Sequence, residues 1–460
     1  MECTSVTGEE EEAIYDDSES GGEDVEEMEE EEPSAAATVP KQKSTTTKVY
    51  LPGVSKGNHN IDDDDEGIEL VHEASAYLMY HQAQLGAPCL SFDIVRDTLG
   101  DGRTDFPMTT FVVAGTQAAT SRQDHVILVK MSQLTKTHKE DSQHDSDDDS
   151  SDSDIVDDED EPVLDTVNVI HDGAVNRLRV APLKERLLVA TWSTKGCVHI
   201  WDMSVHMTSL SHPSAAATNY SVKGLSEAPL FSFRGHQDEG FALDWSSSGE
   251  LLSGDCRGYI HLWKPQQSKT WQVDQRPFTA HSQSVEDIQW SPNEATVFAS
   301  CSVDKTIRIW DVRAKPSKAC MLTTQAHQTD INVISWNKSL PLIVSGGDDG
   351  IIKIWDLREF QKGDPVSTFK QHTAPITTLE WHYTDSTVFA SAGEDNQLIQ
   401  WDIAVEKDDI TEEEEGIPPQ LLFVHQGQKE IKELHWHPQI PGVLISTALT
   451  GFDVFRTISV

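Results

Sequence analysis

Cysteine is sparse in this chain. Six are present, Cys3, Cys89, Cys197, Cys256, Cys301 and Cys320, and no two stand in a CxxC pair. Their scatter excludes the disulfide framework of a small secreted module and suits a reducing compartment. Long apolar runs are missing as well. No stretch approaches 18 apolar residues, and the N-terminus is acidic where a secretory signal would be basic and then apolar. A soluble intracellular protein is therefore expected. Phosphate-cradling GxxxxGK[ST] loops, HExxH helices and GxSxG elbows do not occur. Positive charge is also in short supply, with 35 Lys and Arg against 78 Asp and Glu and a net charge of −43. Direct binding of nucleic acid or of an anionic membrane needs clustered cations, so neither is expected.

The negative charge that remains is unevenly placed. Residues 9–32 hold 15 acids, 62–66 read DDDDE, 140–161 hold 13 and 408–415 hold 6. The two longer blocks contain no Lys or Arg. Together the four blocks carry half of all the acids, and the rest of the chain is close to neutral. Runs of like charge repel themselves and stay extended. Such arms on a neutral body point to basic proteins as partners. Asp147, Asp148, Asp149, Asp157, Asp158 and Glu159 are the candidate contacts in the central block.

From residue 165 onward the chain repeats itself. Short β-rich segments end in Trp201, Trp263, Trp310, Trp355 and Trp401. A second series, Trp245, Trp290, Trp336, Trp381 and Trp436, leads the preceding strand. Both keep a period near 46 residues, stretched by a Ser/Ala-rich insertion after Trp201 and by the acidic stretch before the last unit. Two markers sharing one period indicate a true repeat. Each unit opens with a histidine (His171, His236, His281, His327, His372 and His425), and Phe455 replaces the final Trp. A weaker unit, LSFDIV, TFVVAG, HVILVKM and VLDTVNVI, precedes these six. Seven units of four strands predict an all-β, seven-bladed propeller. The expected layout is an acidic disordered segment over 1–66, a helix over 67–88, and the propeller over 89–460 with insertions at 140–161 and 408–415. Ser91–Val95 is the expected N-terminal contribution to ring closure.

The His opening, the turn acids Asp304, Asp349 and Asp395, and the Trp-Asp endings resemble the WD-repeat signature. That resemblance implies a structural role for His281, Asp304, Trp310, His327, Asp349, Trp355, His372, Asp395 and Trp401. A catalytic set would occur once, whereas this one recurs in several units, so no enzyme is expected. Lys195 and Arg257 occupy the turn-acid position in two units, which predicts incomplete networks there. His435 and His437 share a strand face at i, i+2 spacing, but lack companion ligands. No metal or cofactor is expected.

Residues 68–85, IELVHEASAYLMYHQAQL, carry apolar side chains at three- and four-residue steps. The spacing predicts an amphipathic helix, with acids at its start and Gly86 and Pro88 at its end. This stretch with the following GAPCLSFDIV resembles the histone-binding WD proteins of chromatin-assembly complexes. The YLMYHQAQLGAPCLSFDIVRDTLG run resembles more closely the glutamate-rich WD-repeat proteins of ribosome assembly. The resemblance implies a groove for a basic ribosomal protein or a histone beside Leu70, Val71, Tyr77, Leu78 and Tyr80. It also implies a nuclear or nucleolar location, and escort of large-subunit ribosomal protein three in the first instance. Ser20, Ser142, Ser146 and Ser151 each have an acid three residues on, as an acid-directed kinase prefers. The VFASCSVDKTIRIWDVR and LIVSGGDDGIIKIWDLR segments resemble the box that docks substrate receptors on a cullin-ligase adaptor, through Arg313 and Arg358.

Overall fold

The computed structural model describes residues 74–119, 124–137, 161–211, 228–267, 270–405 and 418–460. Their strands form seven four-stranded antiparallel sheets. Blade 1 runs outward through Cys89–Val95, Met108–Thr116, His125–Leu134 and Val163–Ile170. Blades 2 to 6 follow in chain order, each with its first strand innermost. Blade 7 takes Glu433–Trp436, Val443–Ala448 and Gly451–Thr457 from the C-terminus. The seven-bladed WD-repeat propeller expected from the repeats is what the chain forms.

Local sequence explains the blades. Middle strands such as Leu188–Ser193 and Val388–Gly393 are buried along their whole length, because both faces meet neighbouring blades. The tight turn between the second and third strands needs one residue in the left-handed region. Gly258 (φ 84°), Lys305 (φ 67°) and Asn396 (φ 62°) fill that position in successive or near-successive blades. Seven Trp, among them Trp192, Trp310 and Trp401, are essentially fully buried.

Three expectations need correction. First, the segment read as a helix over 67–88 is a strand where it is described. After a single 3-10 turn at Ala74–Ala76, Tyr77–Ala83 pairs antiparallel with Gly451–Thr457 and becomes the outermost strand of blade 7. Residues 67–73 lie outside the described residues. Tyr77 and Met79 alternate inward while Leu78 points out, so the strand period wins. The cause is a partner about 370 residues away: the open edge of Gly451–Thr457 needs hydrogen bonds that a helix cannot give. Secondly, this strand therefore closes the ring, and Ser91–Val95 belongs to the innermost strand of blade 1. Thirdly, Trp245, Trp290, Trp336, Trp381 and Trp436 end the innermost strands.

That last position has a purpose invisible in the repeat pattern. The side chain just before each Trp accepts the backbone N–H of the Trp in the next blade. Asp244 takes Trp290 N (2.7 Å), Gln289 takes Trp336 N (2.8 Å), Ser335 takes Trp381 N (3.1 Å) and Glu380 takes Trp436 N (2.8 Å). The remaining junctions use variants. Glu433 accepts Phe92 N (2.8 Å), Asp93 accepts Val180 N (2.7 Å), and Arg177 Nε donates to Phe241 O (2.8 Å). Side chains thus latch all seven blade junctions around the axis. A neutral hydrogen bond stabilises by about 0.5–1.5 kcal/mol and one to a charged partner by about 1.5–3 kcal/mol, so the ring adds to inter-blade cohesion at every junction.

Candidate protein-binding face

The repeated His–Asp–Ser–Trp set forms a proton-ordered chain inside the blades. In blade 4, Trp310 Nε1–H donates to Ser300 Oγ (2.8 Å), Ser300 meets His281 Nε2 (2.7 Å), and His281 Nδ1 meets Asp304 Oδ2 (2.9 Å). Blade 6 repeats it through Trp401, Ser391, His372 and Asp395. In blade 5, Trp355 and His327 share Ser345, but His327 lies 3.6 Å from Asp349, an ion-pair rather than a hydrogen-bond distance. Burial pushes the His281 and His327 imidazoles down, His327 to about 4, so both sit neutral between their partners. Burial opposes charge on Asp304 too, yet His281 and Thr306 hold it below the ordinary carboxylate range. Two or more linked strands per set make these anchors of the blade.

The two units with a cation at the turn position differ from each other. In blade 3, Asp255, two residues before Arg257, takes over and meets His236 Nδ1 at 2.9 Å, so this network is complete and the expectation of a gap is corrected. In blade 2 the acid is absent. His171 bonds Thr191 Oγ1 (3.0 Å) and the Gly173 carbonyl (2.6 Å) instead. Blade 7 recruits the closing strand. The Tyr77 hydroxyl bonds His425 Nδ1 (2.8 Å), Asp453 meets His425 Nε2 (3.1 Å), and Tyr80 donates to Asp453 (2.9 Å). Phe455 stacks on His425 at 4.3 Å where other blades have Trp.

The candidate groove residues are accordingly divided. Leu70 and Val71 lie outside the described residues, as do Asp147, Asp148, Asp149, Asp157, Asp158 and Glu159. Tyr77 is buried in the blade 7 network, which corrects its assignment as a partner contact, whereas Tyr80 is half-buried there. Tyr80 stays in part accessible, and Leu78 is 43% exposed. Its carbonyl accepts Thr137 N (3.1 Å), and His81 Nε2 meets Thr135 O (2.9 Å), so the chain leaving blade 1 is tied to the closing strand of blade 7.

His435 and His437 are engaged in unlike surroundings. His435 Nδ1 lies 3.3 Å from Glu380, and its Nε2 lies 3.7 Å from Glu433. Burial works against its charge, but Glu380 and Glu433 override this and lift it to about 10. Glu433 also meets Arg177 and Arg179, each at 2.8 Å, and stays well below the usual carboxylate range despite its burial. His437 bonds Thr110 Oγ1 (3.0 Å), accepts two backbone N–H groups at its other nitrogen, and is pushed down to about 3 by burial and nearby Arg103.

The strand directions place the acidic blocks. In every blade the third strand ends, and the outermost strand begins, on the same face of the disc. The 140–161 block links His125–Leu134 to Val163–Ile170 in blade 1. The 408–415 block links Leu398–Asp402 to Leu421–His425 in blade 6. The 9–32 and 62–66 blocks precede Tyr77–Ala83, the outermost strand of blade 7. The 140–161 and 408–415 blocks are therefore joined to strand ends on one face, as is the chain that enters Tyr77–Ala83. On that face, in blades 4 and 5, Arg313 and Arg358 project two residues beyond the Trp-Asp pairs. Each guanidinium grips its own Asp, with Nε 2.9 Å from Asp311 and from Asp356, yet stays 70% and 73% exposed.

The family described as histone-binding protein RBBP4, a component of the CAF1 complex, matches residues 69–135, which span the closing strand and three strands of blade 1. WD-domain repeats match 227–264, 272–311, 318–356 and 363–402. Glutamate-rich WD repeat-containing protein 1 of Dictyostelium discoideum is 42% identical over 427 residues, covering 86% of this chain and 83% of its own. Ribosome assembly protein rrb1 of Schizosaccharomyces pombe is 41% identical over 428 residues, covering 89% and 84%. This chain belongs to the glutamate-rich WD-repeat family. Protein HEAT STRESS TOLERANT DWD 1 of Arabidopsis thaliana is 42% identical over 434 residues, covering 89% and 91%.

Proposed function

We propose that this protein is a non-catalytic escort for a basic protein in ribosome assembly, acting in the nucleus and nucleolus. The observation that carries this reading is the concentration of half of all the acids in four blocks of an otherwise nearly neutral chain, two of them inserted between strands that end and begin on one face of the propeller. The acidic arms neutralise a cationic client before it meets RNA, and the disc supplies shape-specific contact near the blade 7–blade 1 seam. Electrostatics speed capture and the apolar contact selects the client. Release follows when rRNA, a denser polyanion, competes for the same cations. No step requires nucleotide hydrolysis. Kinship with a ribosome assembly protein favours a ribosomal client, large-subunit ribosomal protein three first. The histone-binding family match favours a histone as the alternative. Affinity purification at moderate salt, followed by mass spectrometry, tests this. Recovery of one free ribosomal protein without whole subunits supports the escort, and a histone displacing that protein at equal concentration supports the alternative. Recovery of neither refutes both.

A second reading is docking on a cullin-ligase adaptor. Its support is the equivalent presentation of Arg313 and Arg358 in adjacent blades, each pinned outward by its own Asp. Replacement of both by Ala abolishes adaptor pull-down if this reading holds and leaves it unchanged if it does not.

A further inference from the structure

We propose that the outermost strand of blade 1, Val163–Ile170, is a docking edge that takes up an extended, Lys- or Arg-bearing segment of a partner as a fifth strand. The proposal rests on the capture of basic proteins proposed above and gives it a place and a conformation.

Outer strands are the exposed edges of a propeller, and proteins usually blunt such edges by keeping them short or by placing Lys or Pro on them. Blades 2, 3 and 5 follow that rule with three-residue outer strands at Phe231–Phe233, Trp271–Val273 and Ser367–Phe369. Blade 1 does not. Its outer strand has 8 residues, VLDTVNVI, without a Lys, Arg or Pro. Val163, Leu164 and Ile170 are exposed by 46%, 39% and 58%. One side pairs in unbroken register with His125–Leu134, from Ser132 opposite Val163 to His125 opposite Ile170. Among the described residues no backbone hydrogen bond reaches the other side.

The strand is also held firmly. Val169 packs in one cluster with Trp201, Met203 and Leu210, the last of these from the helix Ser204–Ser211. A rigid edge loses little entropy when a strand is added to it. The charge context selects the occupant. A run of 13 acids with no Lys or Arg ends at Glu161, two residues before the strand begins. Lys130, opposite Asp165 on the neighbouring strand, is already paired with it at 3.5 Å. A cationic segment can therefore satisfy both demands: main-chain bonds along the edge and charge complementary to the acids that precede it in the chain.

The test uses full-length protein and fluorescent octapeptides of three kinds. One alternates Lys with Val, one alternates Glu with Val, and the third is the Lys/Val peptide N-methylated at alternate residues, made in both registers. Binding is read by anisotropy and the edge by amide hydrogen exchange. The expected result is Lys/Val binding at least tenfold tighter than Glu/Val, a tenfold loss on N-methylation in one register, and slowed exchange across 163–170 in the complex. Lys/Val binding with unchanged exchange at 163–170 and no effect of N-methylation in either register overturns the edge while leaving cation capture intact. Equal binding of Lys/Val and Glu/Val overturns the capture reading, and the edge proposal with it.

Discussion

Replacing Tyr77 with Phe isolates a single hydroxyl in the ring closure. Tyr77 is 2% exposed, and its OH lies 2.8 Å from Nδ1 of the fully buried His425. Its ring contacts Phe423 at 5.3 Å and Phe455 at 6.0 Å, both edge-on. Removing the hydroxyl deprives a buried imidazole nitrogen of this partner, which costs about 1–3 kcal/mol. Tyr77→Ala also removes the ring and leaves a cavity, for a cost of about 3–5 kcal/mol. Leu78→Ala, one residue along and outward-facing, changes stability by no more than about 0.5 kcal/mol. Urea unfolding measures all three, with the midpoint shifted and the slope unchanged. Were this segment a surface helix, Tyr77→Phe would be close to neutral and Leu78→Ala no milder than Tyr77→Ala. Equal stability of Tyr77→Phe and the parent protein refutes the closing-strand argument.

Three further outcomes follow from the same structure. Glu433→Gln leaves Arg177 and Arg179 facing each other at the axis without their shared carboxylate, and costs about 3–5 kcal/mol in urea unfolding. His435 is raised from 6.5 to about 10 on folding, so its charge stabilises fully below pH 6.5, and that contribution falls as pH rises toward 10. His435→Gln should therefore flatten the alkaline limb of a stability–pH curve, and an unchanged limb counts against the buried imidazolium. The double replacement of Arg313 and Arg358 by Ala leaves the urea midpoint within about 0.5 kcal/mol of the parent, since both side chains are largely in water.

What could be read in the sequence follows a physical divide. Blade number and strand positions were legible because each unit repeats the same Trp and His markers, so six copies average out local ambiguity. The Tyr77–Ala83 strand was not legible because YLMY satisfies a helical and an alternating period equally over four residues. Its deciding partner, Phe455, sits at the far end of the chain. Asp255 was missed because the turn acid was sought at one fixed offset, and blade 3 supplies it two residues earlier. The inter-blade latches left a usable signal: a polar residue stands directly before the Trp in five successive innermost strands, as Asp244, Gln289, Ser335, Glu380 and His435. A polar side chain inside so short a buried strand needs a partner, and the neighbouring blade is the nearest source. The acidic blocks were legible as charge, but that the 140–161 and 408–415 insertions join strand ends on one face required the strand directions.

The most direct measurement of the escort account is the association rate of a purified basic ribosomal protein with the intact chain and with a chain lacking 1–32 and 140–161. Both are followed from 0.05 to 0.5 M salt. Screening already acts over about 8 Å at 0.15 M, so the intact protein should lose association rate steeply with salt. The shortened protein should associate at least tenfold more slowly at low salt and show a much flatter dependence. Equal rates for the two chains, insensitive to salt, contradict it.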